Sequence, residues 1–121
     1  MYIDKIKAMH EQFGISFNNL DYFSVDEKHF RTAAMLEEVS EFLTSQKPED
    51  ELDAMVDLVV FALGTVERMG HSDVFEEAFN RVMASNMSKT LGPNQKRGSF
   101  SLDLQKPADF KPADLSDLVE K

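Results

Sequence analysis

The spacing of apolar residues predicts that this chain is built from helices. Over residues 1–14 an apolar side chain recurs every three or four positions, the period of a helix with one apolar face, and Gly14 is placed to end it. Residues 15–23 contain asparagine, aspartate and aromatic residues, a composition typical of a loop. Ser24, followed three residues later by a glutamate, forms a capping box and predicts a second helix that continues to about Thr44.

Two more helices are predicted in the next part of the chain. Pro48 suits the first turn of a third helix, which continues to about Met69 and stops at Gly70. Ser72 is predicted to cap a fourth helix. The predicted buried stripe of that helix consists of Val74, Phe75, Ala78, Phe79, Val82 and Met83.

The chain changes character after Lys89, because glycines and prolines then interrupt any long helix. We therefore expect an all-α fold, a bundle of four to five helices in residues 1–90. Residues 91–121 are expected to form an extended tail, packed on the bundle or on a neighbouring subunit. Within the tail, a weak strand candidate covers 99–104 and a short helical turn is expected near 113–120.

The third helix is apolar on every side, and such a helix must be buried on every side. A chain of 121 residues has too few helices to enclose it, which favours a dimer or larger assembly with this helix near the interface. An alternative is a non-catalytic helical module, in which the helix serves only for oligomerisation or interaction. The apolar positions are Leu52, Met55, Val56, Leu58, Val59, Val60, Phe61, Leu63 and Val66.

Two carboxylates interrupt this apolar run. Asp53 and Asp57 are four residues apart and share one helix face with Asp50 and Gly64. A buried ionised carboxylate is very costly unless it is paired with a cation, protonated or bound to a metal. The missing side chain of Gly64 would let another group approach this face closely.

The second helix carries the complementary carboxylates. Glu37, Glu38 and Glu41 fall within one arc of about 100°, and packing that arc on the aspartate face would gather about five carboxylates. Oxygen ligands of this kind select Mg²⁺ or Mn²⁺. Two ordinary alternatives remain: a solvated glutamate face, or ion pairs of the aspartates with Arg31 or Arg81.

The composition limits the classes of molecule that the protein is expected to bind. The formal net charge of −9 disfavours nucleic acid and anionic membranes, but allows a small phosphorylated ligand if cations mediate the contact. The sequence has no cysteine, no apolar signal segment at its start and no apolar run long enough to span a membrane. We therefore expect a soluble cytoplasmic protein, which would act in the host cytoplasm if it is phage-encoded.

Three polar residues near the end of the fourth helix are candidates for binding phosphate. Asn86 and Lys89 continue its apolar stripe, and Arg97 follows in a loop flanked by glycines. Lysine and arginine neutralise phosphate charge, and asparagine donates hydrogen bonds. The alternatives are a lysine that complements the helix dipole and an arginine that is simply solvated.

With these motifs placed, the chain resembles the all-α nucleoside triphosphate pyrophosphohydrolases, a superfamily that includes the MazG-like enzymes and phosphoribosyl-ATP pyrophosphohydrolases. Their signature is Glu-x-x-Glu on one helix and Glu-x-x-Asp on the next. Glu38 and Glu41 match the first half, and Asp57 matches the closing aspartate. Ala54 replaces the remaining glutamate, with Asp53 as the substitute and Asp50 as a further candidate. The stretch Asp53 to Gly64 and the later SNMSK sequence are similar to short, often phage-encoded, MazG-like proteins.

The resemblance implies a homo-oligomer, dimer or tetramer, that hydrolyses a nucleoside triphosphate to the monophosphate and pyrophosphate, in nucleotide-pool control or house-cleaning. Residues 1–90 would form the catalytic domain, with Mg²⁺ as the cofactor and Mn²⁺ able to substitute. The implied roles are catalysis for Glu37 and Glu38, metal binding for Glu38, Glu41, Asp53 and Asp57, and substrate binding for Asn86 and Lys89, to which the loop position adds Arg97.

Overall fold

The computed structural model describes residues 1–15 and 24–119. The predicted loop at 15–23 lies, apart from Ile15, outside the described residues. The chain forms two compact units, 1–72 and 73–121, and each is described by itself. The described part is mostly helical, as predicted. Its elements are α1 (Tyr2–Gln12), α2 (Val25–Thr44), α3 (Pro48–Arg68), α4 (Phe75–Asn86), α5 (Ser116–Val119), β1 (Thr90–Leu91) and β2 (Leu104–Gln105), with 3-10 turns at Ser72–Val74 and Gln95–Arg97.

The described residues of the first unit contain three α-helices, and both α1 and α2 pack on α3. Its small apolar core is formed by Ile3 and Ile6 of α1 and by Ala54 and Leu63 of α3. Each large aliphatic side chain removed from water in this way contributes about 1.5–3 kcal/mol to folding. The core thus fixes α3 as the element against which the other two helices are positioned.

In the single chain α3 is not buried on every side, as expected from the small number of helices. The exposed fractions of Leu52, Val56 and Val59 are 67%, 51% and 51%. Together with residues of α1 they line an apolar groove of about 530 Å³ between α1 and α3. Three helices are too few to enclose α3, which was the reason the sequence favoured an assembly.

The helix ends follow the predicted signals, with one exception. The hydroxyl of Ser24 accepts a hydrogen bond from the Glu27 N–H at 3.1 Å and caps α2. The predicted cap at Ser72 is wrong: this hydroxyl donates to the Glu67 carboxylate, and α4 begins after Val74 without a side-chain cap. An ionised carboxylate is a strong hydrogen-bond acceptor, which accounts for the direction of the Ser72 hydroxyl.

Glu27 of α2 lies beside two arginines, one on its own helix and one on α3. Its Oε2 lies 3.2 Å from Nε of Arg31 on the same helix and 2.5 Å from Nε of Arg68 on α3. The Arg68 side chain is only 5% exposed. A charge that is so completely removed from water requires a partner of opposite sign, and Glu27 supplies it.

Gly64 of α3 packs beside this cluster. A Cβ built on Gly64 would lie 3.5 Å from Nη1 of Arg31 and 3.9 Å from Nε2 of His10, which is buried on α1. The close approach predicted for the glycine face is therefore present, with side chains of α1 and α2 as the approaching groups. Both distances correspond to ordinary van der Waals contact, so a methyl group fits and a larger side chain does not.

This geometry gives opposite expectations for two substitutions. Gly64→Ala should leave the free energy of unfolding unchanged or raise it by up to about 1 kcal/mol, because alanine favours helix. Gly64→Leu should lower it by about 1–3 kcal/mol, because the added atoms collide with Arg31 and His10. Urea unfolding of both variants checks the pair, and a costly alanine or a harmless leucine would contradict the packing.

The second unit combines α4 with a short β-ribbon and a final helical turn. Strands β1 and β2 pair antiparallel, Thr90 with Gln105 and Leu91 with Leu104. The expected turn near 113–120 is present as α5, and the Arg81 guanidinium fastens it to α4 through two hydrogen bonds to the Asp117 carboxylate. The predicted burial of the α4 stripe is wrong at Phe79, Val82 and Met83, which are exposed. Helix α4 thus has an uncovered apolar face in the single chain.

Residues 73–121 thus include a tail with definite secondary structure. The strand candidate at 99–104 is realised only at its end, where β2 begins. The predicted division of the chain at residue 90 concerned catalysis and stays a prediction, whereas compactness divides the chain after Ser72. None of the helices in the described ranges combines the length and the apolar character needed to cross a membrane.

Candidate functional site

Three of the predicted carboxylates come together where α2 packs on α3. The pKa of Glu38 is raised above its ordinary value of 4.5 by burial first, and then by the negative charges of Glu41 and Asp57. The charge of Glu37 acts in the same direction. Like charges nearby disfavour the ionised form of a carboxyl. Glu41 of α2 and Asp57 of α3 therefore act together on Glu38.

Helical spacing explains why these side chains meet. Glu38 and Glu41 are three residues apart on α2 and project from neighbouring positions of one face. Asp57 lies near the middle of α3, the helix with which α2 makes its main contact. Glu38 and Asp57 are half-buried at this contact, while Glu41 and Glu37 are exposed. The cluster is consequently open to solvent on one side and closed on the other.

One oxygen of the Glu38 carboxylate lacks a hydrogen-bond donor in the part of the chain that the structure describes. Its Oε2 is fully buried, and it has no hydrogen-bond partner among the described residues. A buried carboxylate oxygen without a donor is unfavourable, and repulsion from neighbouring carboxylates adds to the cost. A cation placed among Glu38, Glu41 and Asp57 would relieve both effects at once.

The alternative predicted for the aspartates, ion pairs with arginine, involves residues that the structure places elsewhere. Arg31 pairs with Glu27, and Arg81 pairs with Glu77 and Asp117 in the second unit. Positive charge from these arginines is therefore already shared with other carboxylates.

Asp53, one turn before Asp57 on α3, is exposed, and so is the further candidate Asp50. Within residues 1–15 and 24–119, no set of three acidic, histidine or cysteine side chains is already arranged to hold a metal ion. The donor set nevertheless fits a hard cation, because it consists of carboxylate oxygens and includes one buried oxygen without a donor. Binding would require the exposed side chains to turn inward.

The raised pKa of Glu38 predicts a pH-dependent stability. A carboxyl whose pKa is higher in the folded state stabilises the fold while it is protonated, and this contribution is lost as pH rises from below 4.5 through the folded-state pKa. In chelator-treated protein, Glu38→Gln should remove that loss. The difference in melting temperature, variant minus wild type, should therefore increase as pH rises through this interval and then level off. A difference that is constant with pH, or that falls, would contradict the assignment.

The predicted phosphate-binding residues all lie in the second unit. Asn86 ends α4, and its carbonyl accepts a hydrogen bond from the Lys89 N–H at 3.1 Å. The Lys89 ammonium lies 5.5 Å from the centre of the Phe110 ring. Arg97 donates two hydrogen bonds to the Asp103 carboxylate, at 3.0 and 2.7 Å. This pairing lowers the pKa of Asp103 to about 2.

Sequence reasoning missed two groupings of polar residues. One is the Glu27 cluster with Arg31 and Arg68, which the capping-box pattern concealed because it assigned Glu27 to the helix end. The other is in the tail, where Lys106 also approaches the Phe110 ring, at 5.3 Å from its centre. Lys106 and Phe110 are four residues apart in the sequence, but nothing in this spacing indicated that Phe110 also lies beside Lys89.

Comparisons with known proteins add no relative to this picture. No protein-family model matches the chain, and the search of curated proteins finds no match.

Proposed function

We propose that the protein is a metal-dependent nucleoside triphosphate pyrophosphohydrolase of the MazG-like type, which converts a nucleoside triphosphate and water to the monophosphate and pyrophosphate. The observation that carries the proposal is the buried, unpartnered Oε2 of Glu38 beside the charges of Glu41 and Asp57. Such a cluster is costly to keep empty, and oxygen-only ligands suit Mg²⁺, with Mn²⁺ able to substitute. The sequence resemblance supplies the reaction class.

In this proposal Glu38, Glu41 and Asp57 hold the metal, and Asp53 or Asp50 completes the ligand set. When bound, Mg²⁺ supplies positive charge to the triphosphate and lowers the pKa of a bound water. Four carboxylates close to an anionic triphosphate are reasonable in this proposal, because the substrate arrives together with Mg²⁺, which supplies the opposite charge.

The chain's own carboxylates carry the proton chemistry. Glu37 or Glu38 orients the attacking water and accepts its proton. The water oxygen forms a bond to one phosphorus atom of the anhydride that joins the α- and β-phosphates, that anhydride bond breaks, and the group on its other side leaves with the electron pair, which gives the monophosphate and pyrophosphate. Asn86, Lys89 and Arg97 remain the predicted contacts to the phosphate groups, of which Arg97 would have to exchange its hydrogen bonds with Asp103.

A homo-oligomer is part of the proposal. The exposed apolar residues of α3 and the groove beside α1 support it, since a single chain leaves Leu52, Val56 and Val59 largely in water. The same groove favours the second candidate function, a non-catalytic oligomerisation or interaction module. The two functions differ in one respect: the module has no use for the carboxylates of Glu38, Glu41 and Asp57.

A panel of ribo- and deoxyribonucleoside triphosphates, incubated with Mg²⁺ or Mn²⁺, tests the proposal. We expect pyrophosphate and the monophosphate as products, with no turnover when the metal is chelated. Glu38→Gln should be inactive, and Glu76→Gln, a matched exposed glutamate on α4, should match wild type. Release of orthophosphate with a diphosphate would refute the reaction type, and no turnover of any nucleotide would favour the module.

A further inference from the structure

The tail of this acidic protein concentrates positive charge. Residues 89–111 contain five cations and two carboxylates, a net charge of +3, whereas the whole chain has a net charge of −9. One of the two carboxylates, Asp103, is neutralised by Arg97 and accepts a further hydrogen bond from the Leu104 N–H. The cations are Lys89, Lys96, Arg97, Lys106 and Lys111. Positive charge is therefore in excess in this part of the second unit.

A pocket of about 320 Å³ lies within the same segment. Its lining is unusual because it combines two lysines with three side-chain amides and contains no carboxylate. The lining residues are Pro93, Asn94, Gln95, Lys96, Gln105 and Lys106. Ammonium groups attract phosphate, and amide nitrogens donate hydrogen bonds to its oxygens.

The β-ribbon and its turn hold this pocket in shape. The Asn94 Oδ1 accepts a hydrogen bond from the Lys96 N–H at 3.1 Å, which leaves the Asn94 amide nitrogen available to donate. The Gly92 N–H donates to the Asp103 carbonyl at 2.8 Å. A Cβ at residue 92 would lie 2.6 Å from Nε2 of Gln105, so the glycine is what allows this amide to lie across the strand pair.

The lysine charges of this segment are concentrated. The Lys106 and Lys89 ammonium groups lie 5.3 and 5.5 Å from the centre of one Phe110 ring. Among the ion pairs between described residues, none joins Lys96 or Lys106 to a carboxylate. Neighbouring like charges favour the binding of an anion that bridges them.

We propose that the pocket formed by Lys96, Lys106, Asn94, Gln95 and Gln105 binds a small phosphate-bearing anion, and that it does so without a divalent metal. The pocket volume is at the lower end of the range for small-molecule sites, which suits inorganic pyrophosphate or the phosphate groups of a nucleotide. The site is built from residues 93–106 alone. It does not depend on the carboxylates of Glu38, Glu41 and Asp57, and it is independent of the proposed function.

Calorimetric titration of the full chain with inorganic pyrophosphate, in the presence of a chelator and at low salt, tests this site. Wild type should bind saturably. The double variant Lys96→Gln/Lys106→Gln should bind at least 10-fold more weakly. The matched double variant Lys5→Gln/Lys47→Gln, which removes two exposed lysines from the first unit, should bind like wild type. A titration with a nucleoside monophosphate then distinguishes free pyrophosphate from a nucleotide as the preferred source of phosphate.

The site would be overturned by wild type that binds no pyrophosphate, or by equal weakening in both lysine double variants. Gln105→Leu gives a second check, because it keeps the charge and removes the amide; it should weaken binding without affecting the melting temperature. Asp57→Asn should bind pyrophosphate as wild type does. If Asp57→Asn abolished binding, the anion would belong to the carboxylate cluster and the proposed pocket would be wrong.

Discussion

Asp57→Asn is expected to reduce pyrophosphate release from a nucleoside triphosphate by at least about 10²-fold, the loss typical when one charge-stabilising group of an active site is removed. Asp57 is the member of the cluster contributed by α3, and its charge acts directly on Glu38. Asparagine keeps the shape and removes the charge. Steady-state rates at saturating Mg²⁺ measure the effect.

The same substitution should not weaken the fold. Because the Asp57 charge raises the pKa of Glu38, its removal relieves repulsion, and the melting temperature in chelator should stay the same or rise. Glu76→Gln provides the control for loss of one negative charge elsewhere. Near-normal activity of folded Asp57→Asn would contradict the role of the cluster, and Glu41→Gln repeats the test from α2 if the first variant fails to fold.

Glu27→Ala is expected to lower the free energy of unfolding by about 3–5 kcal/mol, the cost of leaving a buried charge without its partner. The side chains of Arg68 and Arg31 are 5% and 12% exposed, and both have their Nε beside Glu27 Oε2. The total free energy of unfolding of a small domain is only about 5–15 kcal/mol. The loss should therefore be large enough to leave the first unit partly unfolded at moderate temperature.

Urea unfolding followed by circular dichroism measures this loss. Glu11→Ala, at an exposed position of α1, removes the same charge and should change stability by no more than about 0.5 kcal/mol. If Glu27→Ala cost less than about 1 kcal/mol, within the range of an exposed ion pair, the two arginines would have to be solvated.

Much of the fold was predictable because its helix signals are local. Ser24 caps α2 through a residue three positions away, and Pro48 favours the start of α3 because its ring fixes φ near the helical value. Ser72 shows the limit of local reasoning. Its hydroxyl donates to the Glu67 carboxylate, which only the folded turn brings near. The apolar pattern of α3 shows a second limit of local reasoning, because it identifies the residues that need to be covered but not the element that covers them.

The candidate site was predictable to the same extent. Spacing placed Glu38 and Glu41 on one face, and the apolar surroundings of Asp57 indicated that its charge needed a partner. The sequence could not show that Glu38 is the carboxylate whose oxygen is left without a donor, since that depends on how α2 lies on α3. It also could not reveal the Phe110 contact shared by Lys89 and Lys106, which joins residues that are distant along the chain.

The proposed function requires above all that a divalent cation binds between α2 and α3. Titration with Mn²⁺, followed by electron paramagnetic resonance of the free ion, tests this directly in the full chain. We predict saturable binding in wild type and in Glu76→Gln, and loss of that binding in Glu41→Gln and in Asp57→Asn. Wild type that leaves all Mn²⁺ free, or Asp57→Asn that binds it as well as wild type, would contradict the account.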